Sequence, residues 1–401
     1  MRFCTAVRRK PPLEGITILD FTRYQQGPSA TLMLAELGAR VLKVESPSGD
    51  PGRMLSRFED GFPSYFEVLN RGKQSIVVDL RQPDGKAVIS RLARQVDVVA
   101  ENFRPGVMDR LGVGYDALSA VNPRLIFASA SMFGPRGPRT RHPGYDTIAQ
   151  AAGGMVMATR RPDDDLGTPL GGTADQVGGM MLAYAILAAL LHRERTGEGQ
   201  KVDVSLFGSQ LSLQMVAAAR ALYKHTQMLP QQASGRISGS MRCSDDHWIA
   251  FGHLNTPQWV DVLRAFALGE LVEDPRFTTA EVRGSNMPQL RSILQERAAT
   301  QPSDYWLKRL VEADIPCTLV QDYDMLAQDP QALENSYLYN YEHPKFGTLK
   351  AVGPVAYFSK TGSVLQGPAP GEPGQHTQAI LANAGFTAEE IAHLRANKVV
   401  S

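Results

Sequence analysis

The feature that most constrains the fold is a strand–helix–strand pattern near the start of the chain. Residues 15–21 (GITILDF) form an apolar run of strand length, and 39–45 (ARVLKVE) form a second one. Between them, Gly27-Pro28-Ser29 marks the start of a helix that Gly38 ends. Two strands joined by a helix are usually parallel neighbours in one sheet. The pattern therefore predicts a parallel α/β sheet with a ligand crevice at the carboxyl ends of its strands.

The same alternation continues to about residue 223. A glycine-, proline- and charge-rich segment at 46–65 interrupts it and is predicted to be a surface loop. The pattern predicts strands at 75–80, 96–102, 124–134 and 201–207, and helices at 86–95, 144–154 and 180–191, with further helix after 207.

A polar, Gly- and Ser-rich stretch at 227–240 indicates a domain boundary. The pattern after it predicts a smaller α/β domain, with strands at 247–252 and 317–322 and helices at 256–267, 287–299 and 302–312. From about 336 the chain is irregular with short strands, and a helical piece at 375–396 closes it.

Composition narrows the class of protein. The 401 residues carry 42 basic and 41 acidic side chains, so charge gives no reason to expect nucleic-acid or membrane binding. Three widely spaced cysteines without CxxC spacing disfavour a zinc site or a disulfide framework. The longest apolar run, 180–191, is shorter than the roughly 20 residues that span a bilayer. The basic N-terminus has no apolar region after it, so we expect a soluble, cytoplasmic protein.

One carboxylate stands out, just before that apolar run. Asp175 is surrounded by small residues, among them Gly171, Gly172, Gly178 and Gly179. A carboxylate at the mouth of a buried helix is costly to keep there. Two interpretations stay open. Asp175 is an N-cap of the helix, or it is a reacting group that a bulky ligand approaches past the glycines.

Other motifs are weak. Gly112-x-Gly114-x-x-Ala117 does not directly follow a strand, so a helix start fits it better than a dinucleotide turn. The acids at 163–165 have no second ligand cluster and are typical of a solvated turn. Arg104 and Arg110 are either surface charges or phosphate ligands. The residues alone leave the function open.

The chain resembles the family III CoA-transferases over nearly its whole length. The matching segments are PLEGITILDF (12–21), QQGPSATLMLAELGARVLKVE (25–45), NRGKQSIVVDL (70–80), VVAENFRPGVMDRLGVGYDAL (98–118), NPRLIFASASMFG (122–134), GYDTIAQAAGG (144–154), TADQVGGM (173–180), RTGEGQKVDVSL (195–206), DPRF (274–277), IPC (315–317), HPKFG (343–347) and GQHTQAIL (374–381). The resemblance favours the catalytic interpretation of Asp175.

That resemblance implies a covalent mechanism in which Asp175 forms an aspartyl-acyl anhydride and then an aspartyl-CoA thioester. It implies coenzyme A and acyl-CoA as substrates, a carboxylic acid as acceptor, no tightly bound cofactor and no metal. The residues that match CoA-binding and intermediate-stabilising positions of the family are Gln25, Gln26, Val78, Arg81, Asn102, Phe103, Arg104, Arg110, Gly144, Tyr145 and Asp146.

The resemblance also implies a Rossmann-like large domain built from both chain ends, 1–226 and 331–401, with a linker and small domain at 227–330. It further implies that two chains interlock in a homodimer. The donor is left open, with a dicarboxylyl thioester such as succinyl-CoA as the favoured interpretation. Four methionines (Met155, Met157, Met180 and Met215) are either the lining of an acyl pocket or plain core.

Two departures limit the transfer. Ser46 stands where formyl-CoA transferase has an arginine, and only Ser234–Ser240 could act as that enzyme's glycine-rich lid, so oxalate specificity is not expected. The related α-methylacyl-CoA racemases carry a His where this chain has Tyr145, and His142 is interpreted as loop structure. Racemization needs an acid/base pair, so transferase is favoured. A CoA-thioester-binding protein without turnover is the third alternative.

Overall fold

A six-stranded parallel sheet organises the larger part of this computed structural model, which describes residues 10–160, 166, 170–223, 237–252 and 258–401. The strand order is β3-β2-β1-β4-β5-β6, the order of a doubly wound sheet. This confirms the predicted parallel α/β architecture. The strands are β1 (Thr17–Asp20), β2 (Arg40–Glu45), β3 (Gln74–Val77), β4 (Val98–Glu101), β5 (Ile126–Ser131) and β6 (Lys201–Ser205).

Ten helices precede residue 223 in the described part of the chain. They are α1 (Gln26–Glu36), α2 (Ser64–Asn70), α3 (Pro83–Ala93), α4 (Val107–Arg110), α5 (Tyr115–Val121), α6 (Asp146–Ala152), α7 (Met155–Ala158), α8 (Thr173–Thr196), α9 (Leu206–Leu213) and α10 (Met215–Leu222). The Gly112–Ala117 motif is a helix start, as expected, because α5 begins at Tyr115.

The described residues form two compact units. The first contains the chain up to Ala219 together with Gln331–Ser401, and the second lies between Arg220 and Pro330. The second unit has β7 (Ser238–Arg242), β8 (Trp248–Gly252), β9 (Cys317–Leu319), α11 (Gln258–Ala265), α12 (Ala280–Ser285), α13 (Met287–Ala298), α14 (Ser303–Glu312) and α15 (Tyr323–Leu326). The remaining elements are α16 (Pro330–Glu334), β10 (Leu338–His343), β11 (Gly347–Val352), α17 (Thr377–Asn383) and α18 (Ala388–Ala396).

Two apolar layers cover the parallel sheet. On one face, α1 and α8 pack through residues such as Leu34, Leu182 and Ile186. On the other, α3 and α5 pack together with α17 and α18, so the end of the chain completes a core that its beginning starts. The single helix predicted at 375–396 is therefore two helices, divided at the turn before Thr387, which forms a capping box with Glu390.

The segment 46–65 is not simply a surface loop, and that prediction is wrong in part. Asp50 and Arg53 are buried, and a short 3-10 helix spans Pro51–Met54. The burial follows from charge pairing with β2, since Lys43 Nζ lies 2.6 Å from Asp50 and Arg53 lies 2.7 Å from Glu45. A third buried pair joins Lys73 to Asp20 at 3.1 Å. Losing one member would leave its partner as an uncompensated buried charge.

Helix α8 is longer than the apolar run suggested, and by length and composition it could cross a membrane. In this unit it serves as a core helix against α1 and the sheet. A Cβ added at Gly179 would lie 2.7 Å from the backbone oxygen of Gln26, so this glycine permits close packing of α8 on α1. The expectation that Gly178 and Gly179 make room for a ligand is therefore wrong. Both face α1.

Several predicted features lie outside the described residues. They include the acids at 163–165 and residues 227–236 of the predicted linker. The last part of that linker, from Ser238, forms the start of β7.

Candidate active site

A cavity of about 610 Å³ opens at the carboxyl edge of the parallel sheet, where the loops after β1, β4, β5 and β6 meet. This is the edge at which parallel sheets bind ligands. Eight of the residues singled out from the sequence line it, namely Gln26, Asn102, Phe103, Arg104, Gly144, Tyr145, Asp146 and Asp175.

Asp175 lies in the first turn of α8 with its side chain half-buried. Burial in the cavity raises the pKa of its carboxyl group from 3.8 to about 7, and the nearby carboxylate of Asp146 raises it further in the same direction. A carboxylate with so little stabilisation of its charge is a better nucleophile than a solvated one. Near neutral pH, a substantial fraction of the protein still carries it ionised.

Asp146, at the start of α6, caps α8 from a distance. Its Oδ1 accepts hydrogen bonds from the backbone N–H groups of Ala174 (2.7 Å) and Asp175 (3.1 Å), and its Oδ2 accepts one from Gly172 (2.9 Å). The N-cap residue of α8 is Gly172, with φ of 82°, and it has no side chain that could bond to the helix. The interpretation of Asp175 as the helix cap is therefore wrong.

This arrangement explains how Asp175 can occupy a helix N-terminus and keep a raised pKa. The free N–H groups of a first turn normally stabilise a nearby carboxylate. Here Asp146 accepts those hydrogen bonds, so they do not stabilise the Asp175 carboxylate. Asp146 therefore acts as a positioning residue, since it fixes the start of α8 and leaves the pKa of Asp175 raised.

The two adjacent glutamines have different surroundings. Gln26 is only 4% exposed, lines the cavity, and its Nε2 has no hydrogen-bond partner among the described residues. An ideal Cβ on Gly178 would lie 2.8 Å from that Nε2. Asp175 comes three residues before Gly178, so the two residues lie on the same face of α8. Gln25 instead donates a 3.4 Å bond to the backbone oxygen of Gly172. Gln26 thus has a donor without a partner in the cavity that Asp175 also lines.

A second cavity, of about 660 Å³, holds two more of the predicted ligand-binding residues, Val78 and Arg81. Its walls are largely apolar and include Phe21, Val44 and Leu111. Arg81 binds Asp79 through two hydrogen bonds of 2.8 and 2.9 Å, which lower the pKa of Asp79 to about 2. A planar nucleobase fits such walls, because apolar surface favours stacking over hydrogen bonding.

Phe103 lines both cavities. Its backbone N–H donates a 2.7 Å bond to the buried carboxylate of Glu101, and the neighbouring Asn102 bonds through its side chain to the backbone of Arg23. The loop after β4 is thereby tied to the loop after β1. Arg110, predicted as a CoA ligand, is exposed on α4 and lines neither cavity.

Sequence reasoning missed several lining residues of the first cavity. Tyr65 belongs to α2, inside the segment predicted as loop, and both burial and the nearby Asp175 carboxylate raise its pKa. His142, interpreted as loop structure, also lines the cavity, as does Ser131 at the end of β5. The rule that ligands bind at strand ends points to Ser131. No local signal points to Tyr65.

The described residues contain no group of three or more His, Cys, Asp or Glu side chains placed to hold a metal ion. Nor do the four methionines line the first cavity, where Met132 is found instead. Met157, Met180 and Met215 are largely exposed, so the plain-core interpretation fails for them as well.

Known proteins resemble this chain over most of its length. The model of CoA-transferase family III matches residues 13–377. The acetyl-CoA:oxalate CoA-transferase of Acetobacter aceti is 38% identical over 83% of this chain and 87% of that protein. The succinyl-CoA:glutarate CoA-transferase of Mus musculus is 33% identical over 92% and 86%. A crystal structure of a CAIB/BAIF family protein from Brucella suis, 30% identical, has a TM-score of 0.83 and covers 94% of this chain and 100% of that one.

Proposed function

The chain belongs to CoA-transferase family III, and we propose that it moves CoA from an acyl-CoA thioester to a carboxylic acid through covalent intermediates on Asp175. One observation supports the choice of Asp175 as the residue that forms these intermediates. Its carboxylate is half-buried in a cavity at the sheet edge, with its pKa raised to about 7, while Asp146 occupies the helix N–H donors that would otherwise stabilise its charge.

In the first half-reaction, an oxygen of the ionised Asp175 attacks the carbonyl carbon of the donor thioester. The carbon–sulfur bond breaks, CoA leaves as its thiolate, and a mixed anhydride forms. The thiolate then attacks Cγ of Asp175, the bond between Cγ and the bridging oxygen breaks, and the donor acid leaves as a carboxylate. Asp175 now carries CoA as a thioester, which keeps the activation of the original substrate.

In the second half-reaction, the acceptor carboxylate attacks Cγ of that thioester and expels CoA thiolate, giving an anhydride between the acceptor and Asp175. The thiolate attacks the acceptor's acyl carbon, and the carboxylate of Asp175 is restored. No proton or electron is gained or lost over the cycle. Exclusion of water matters because hydrolysis of either intermediate would waste the thioester.

The surrounding residues fit this sequence of steps. Each attack on a carbonyl places negative charge on oxygen, and a buried donor with no other partner is suited to stabilise it. Gln26 Nε2 is such a donor. We assign the thioester end of CoA to the cavity of Asn102, Phe103, Arg104 and Asp175, and its adenine to the cavity of Val78.

For the substrates we propose a dicarboxylyl donor such as succinyl-CoA. The two transferases named above are an acetyl-CoA:oxalate and a succinyl-CoA:glutarate CoA-transferase, so both names include a dicarboxylic acid and one includes a dicarboxylyl thioester. The exposed guanidinium of Arg104 at the cavity is suited to a second carboxylate, because it can donate two parallel hydrogen bonds.

The test is to find the acceptor's oxygen on Asp175. After turnover with an acceptor acid labelled with heavy oxygen, the Asp175 peptide should gain label, because the bridging anhydride oxygen stays on Asp175 when CoA leaves with the acyl group. Mass spectrometry reads the label, and hydroxylamine should trap the thioester at the same residue. Asp116→Asn is the matched control, since Asp116 is an exposed acid in a helix first turn. Transfer without label on Asp175 would refute the covalent route.

The same experiment distinguishes the alternatives. His142 shares the cavity with Asp175, so a proton-transfer reaction has two candidate groups there. Exchange of the α-hydrogen of a 2-methylacyl-CoA with deuterated solvent, without labelled Asp175, would establish a racemase. Binding of acyl-CoA with neither exchange nor transfer to a panel of acids would establish a binding protein.

We also propose a cytoplasmic, interlocked homodimer, with a large domain from both chain ends and a small domain at 227–330. An exposed apolar stripe on α8 supports self-association, because its side chains recur every three or four residues. It consists of Met180, Tyr184, Leu187 and Leu191. We expect wild type to sediment as a dimer and the Tyr184→Asp/Leu187→Asp variant to sediment as a smaller species. A wild type that sediments as a monomer would refute the proposal.

A further inference from the structure

The cavity that holds Val78 contains one arginine whose charge is not balanced. Of the charged residues lining it, Glu45 pairs with Arg53, and Arg81 pairs with Asp79. Arg23 has no carboxylate within ion-pair distance in the described part of the chain. Ser46 and Ser48 contribute only hydroxyl groups, which lie 2.9 Å apart. Arg23 therefore carries the unpaired positive charge of this cavity.

The position of Arg23 is fixed before any ligand binds. Its backbone N–H donates to Asn102 Oδ1 at 2.8 Å, and its backbone oxygen accepts from Asn102 Nδ2 at 2.7 Å. Its guanidinium carbon lies 5.0 Å from the centre of the Phe103 ring, a cation–π distance. A cation held by backbone bonds and ring stacking loses little freedom when it binds an anion.

Arg23 lines the cavity of Val78 and stacks on Phe103, which lines both cavities, so its guanidinium lies beside the residue that the two cavities share. Coenzyme A has a base at one end, a thioester at the other, and a diphosphate between them. A molecule with its base against Val78 and its thioester at Asp175 places the diphosphate at this junction. We infer that Arg23 binds the diphosphate of CoA and supplies the cation that Ser46 does not. The inference rests on the proposed function.

The test removes the guanidinium of Arg23 from the protein and, separately, the phosphate-bearing groups from the ligand. Arg23→Gln, Arg23→Lys and wild type are compared by calorimetry with CoA and with dephospho-CoA, which lacks the phosphate on the ribose. Transfer from an acyl-pantetheine, which lacks the whole nucleotide, is compared as kcat/KM. Arg124→Gln is the control, because Arg124 is exposed and contacts Gly197.

Arg23→Gln should weaken binding of CoA and dephospho-CoA equally, by about ten- to a hundredfold, the range of a charge-assisted hydrogen bond. Its kcat/KM with the pantetheine thioester should match wild type. Arg23→Lys should recover part of the loss, since it keeps the charge but not the fork.

Three results would overturn the inference. A smaller loss with dephospho-CoA than with CoA would assign Arg23 to the ribose phosphate. An equal loss with the pantetheine thioester would make Arg23 a structural support for Phe103. Failure of the proposed function has a different signature, because wild type itself would then transfer no CoA to a carboxylic acid, whatever the effect of Arg23→Gln on binding. Wild-type binding with an unaffected Arg23→Gln variant refutes only the role of Arg23.

Discussion

Asp175→Asn is expected to lose CoA transfer while the folded protein becomes more stable at neutral pH. An amide cannot form the anhydride, so we expect kcat to fall by at least about a thousandfold, as for the loss of other catalytic nucleophiles. Transfer should be assayed on freshly purified protein, since deamidation of the new Asn would restore activity slowly. Asp116→Asn should keep full activity. Undiminished transfer by Asp175→Asn would exclude Asp175 as nucleophile.

The gain in stability follows from the raised pKa. The carboxyl group of Asp175 ionises near pH 3.8 when unfolded and near 7 when folded, so ionisation costs the native state stability as the pH rises through this window. Above about pH 7 the cost is complete, and Asn does not have it. We expect about 2 kcal/mol of added stability at pH 8, less than the full pKa difference implies because the group is partly accessible. Urea unfolding at pH 5 and pH 8 measures it, and the gain should be smaller at pH 5.

The second large effect is expected at Asp146. Asp146→Ala removes the acceptor for three backbone N–H groups at the start of α8 and for Gln150 Nε2. We expect a loss of about 2–3 kcal/mol in the free energy of unfolding, since the donors stay buried. A displaced helix start also misplaces Asp175, so transfer should fall by about ten- to a hundredfold.

Asp146→Asn separates charge from capping. Asn keeps the Oδ1 that accepts from Ala174 and Asp175 but removes the negative charge that raises the pKa of Asp175. For wild type, kcat should rise with pH through about 7, as Asp175 ionises. For Asp146→Asn this rise should occur at lower pH, so the variant retains relatively more activity at pH 6 than at pH 8. An unshifted profile would show that the Asp146 charge does not act on Asp175.

Local patterns in the sequence predicted much of the sheet and its first helices. The apolar runs at 15–21 and 39–45 correspond to β1 and β2, because a buried parallel strand needs an uninterrupted apolar stretch. The segment 46–65 was misinterpreted for a physical reason. Burial of Asp50 and Arg53 depends on charge partners on β2, and composition does not reveal such pairing.

The candidate active-site cavity was predictable in part. Strand-end logic and the family resemblance gave Asp175, Gln26 and the loop after β4, and the structure brings them to one cavity. The role of Asp146 was not predictable from local sequence. It is an acid in the first turn of its own helix, yet it caps a helix whose N-cap residue, Gly172, lies 26 residues later, and only tertiary structure shows this.

The contact of Gly179 in α8 with α1 distinguishes residues of the candidate site that can be substituted from those that the packing holds in place. Because Gly179 lies against the backbone oxygen of Gln26 and the hydroxyl of Ser29, this contact sets how closely α8, which carries Asp175, approaches the start of α1. Tyr24, Met132 and Tyr65, by contrast, reach the cavity from other elements. Substitutions there can reshape the cavity and leave the proposed nucleophile and its proposed donor in place, so we expect new substrate preferences to evolve without a change at Asp175.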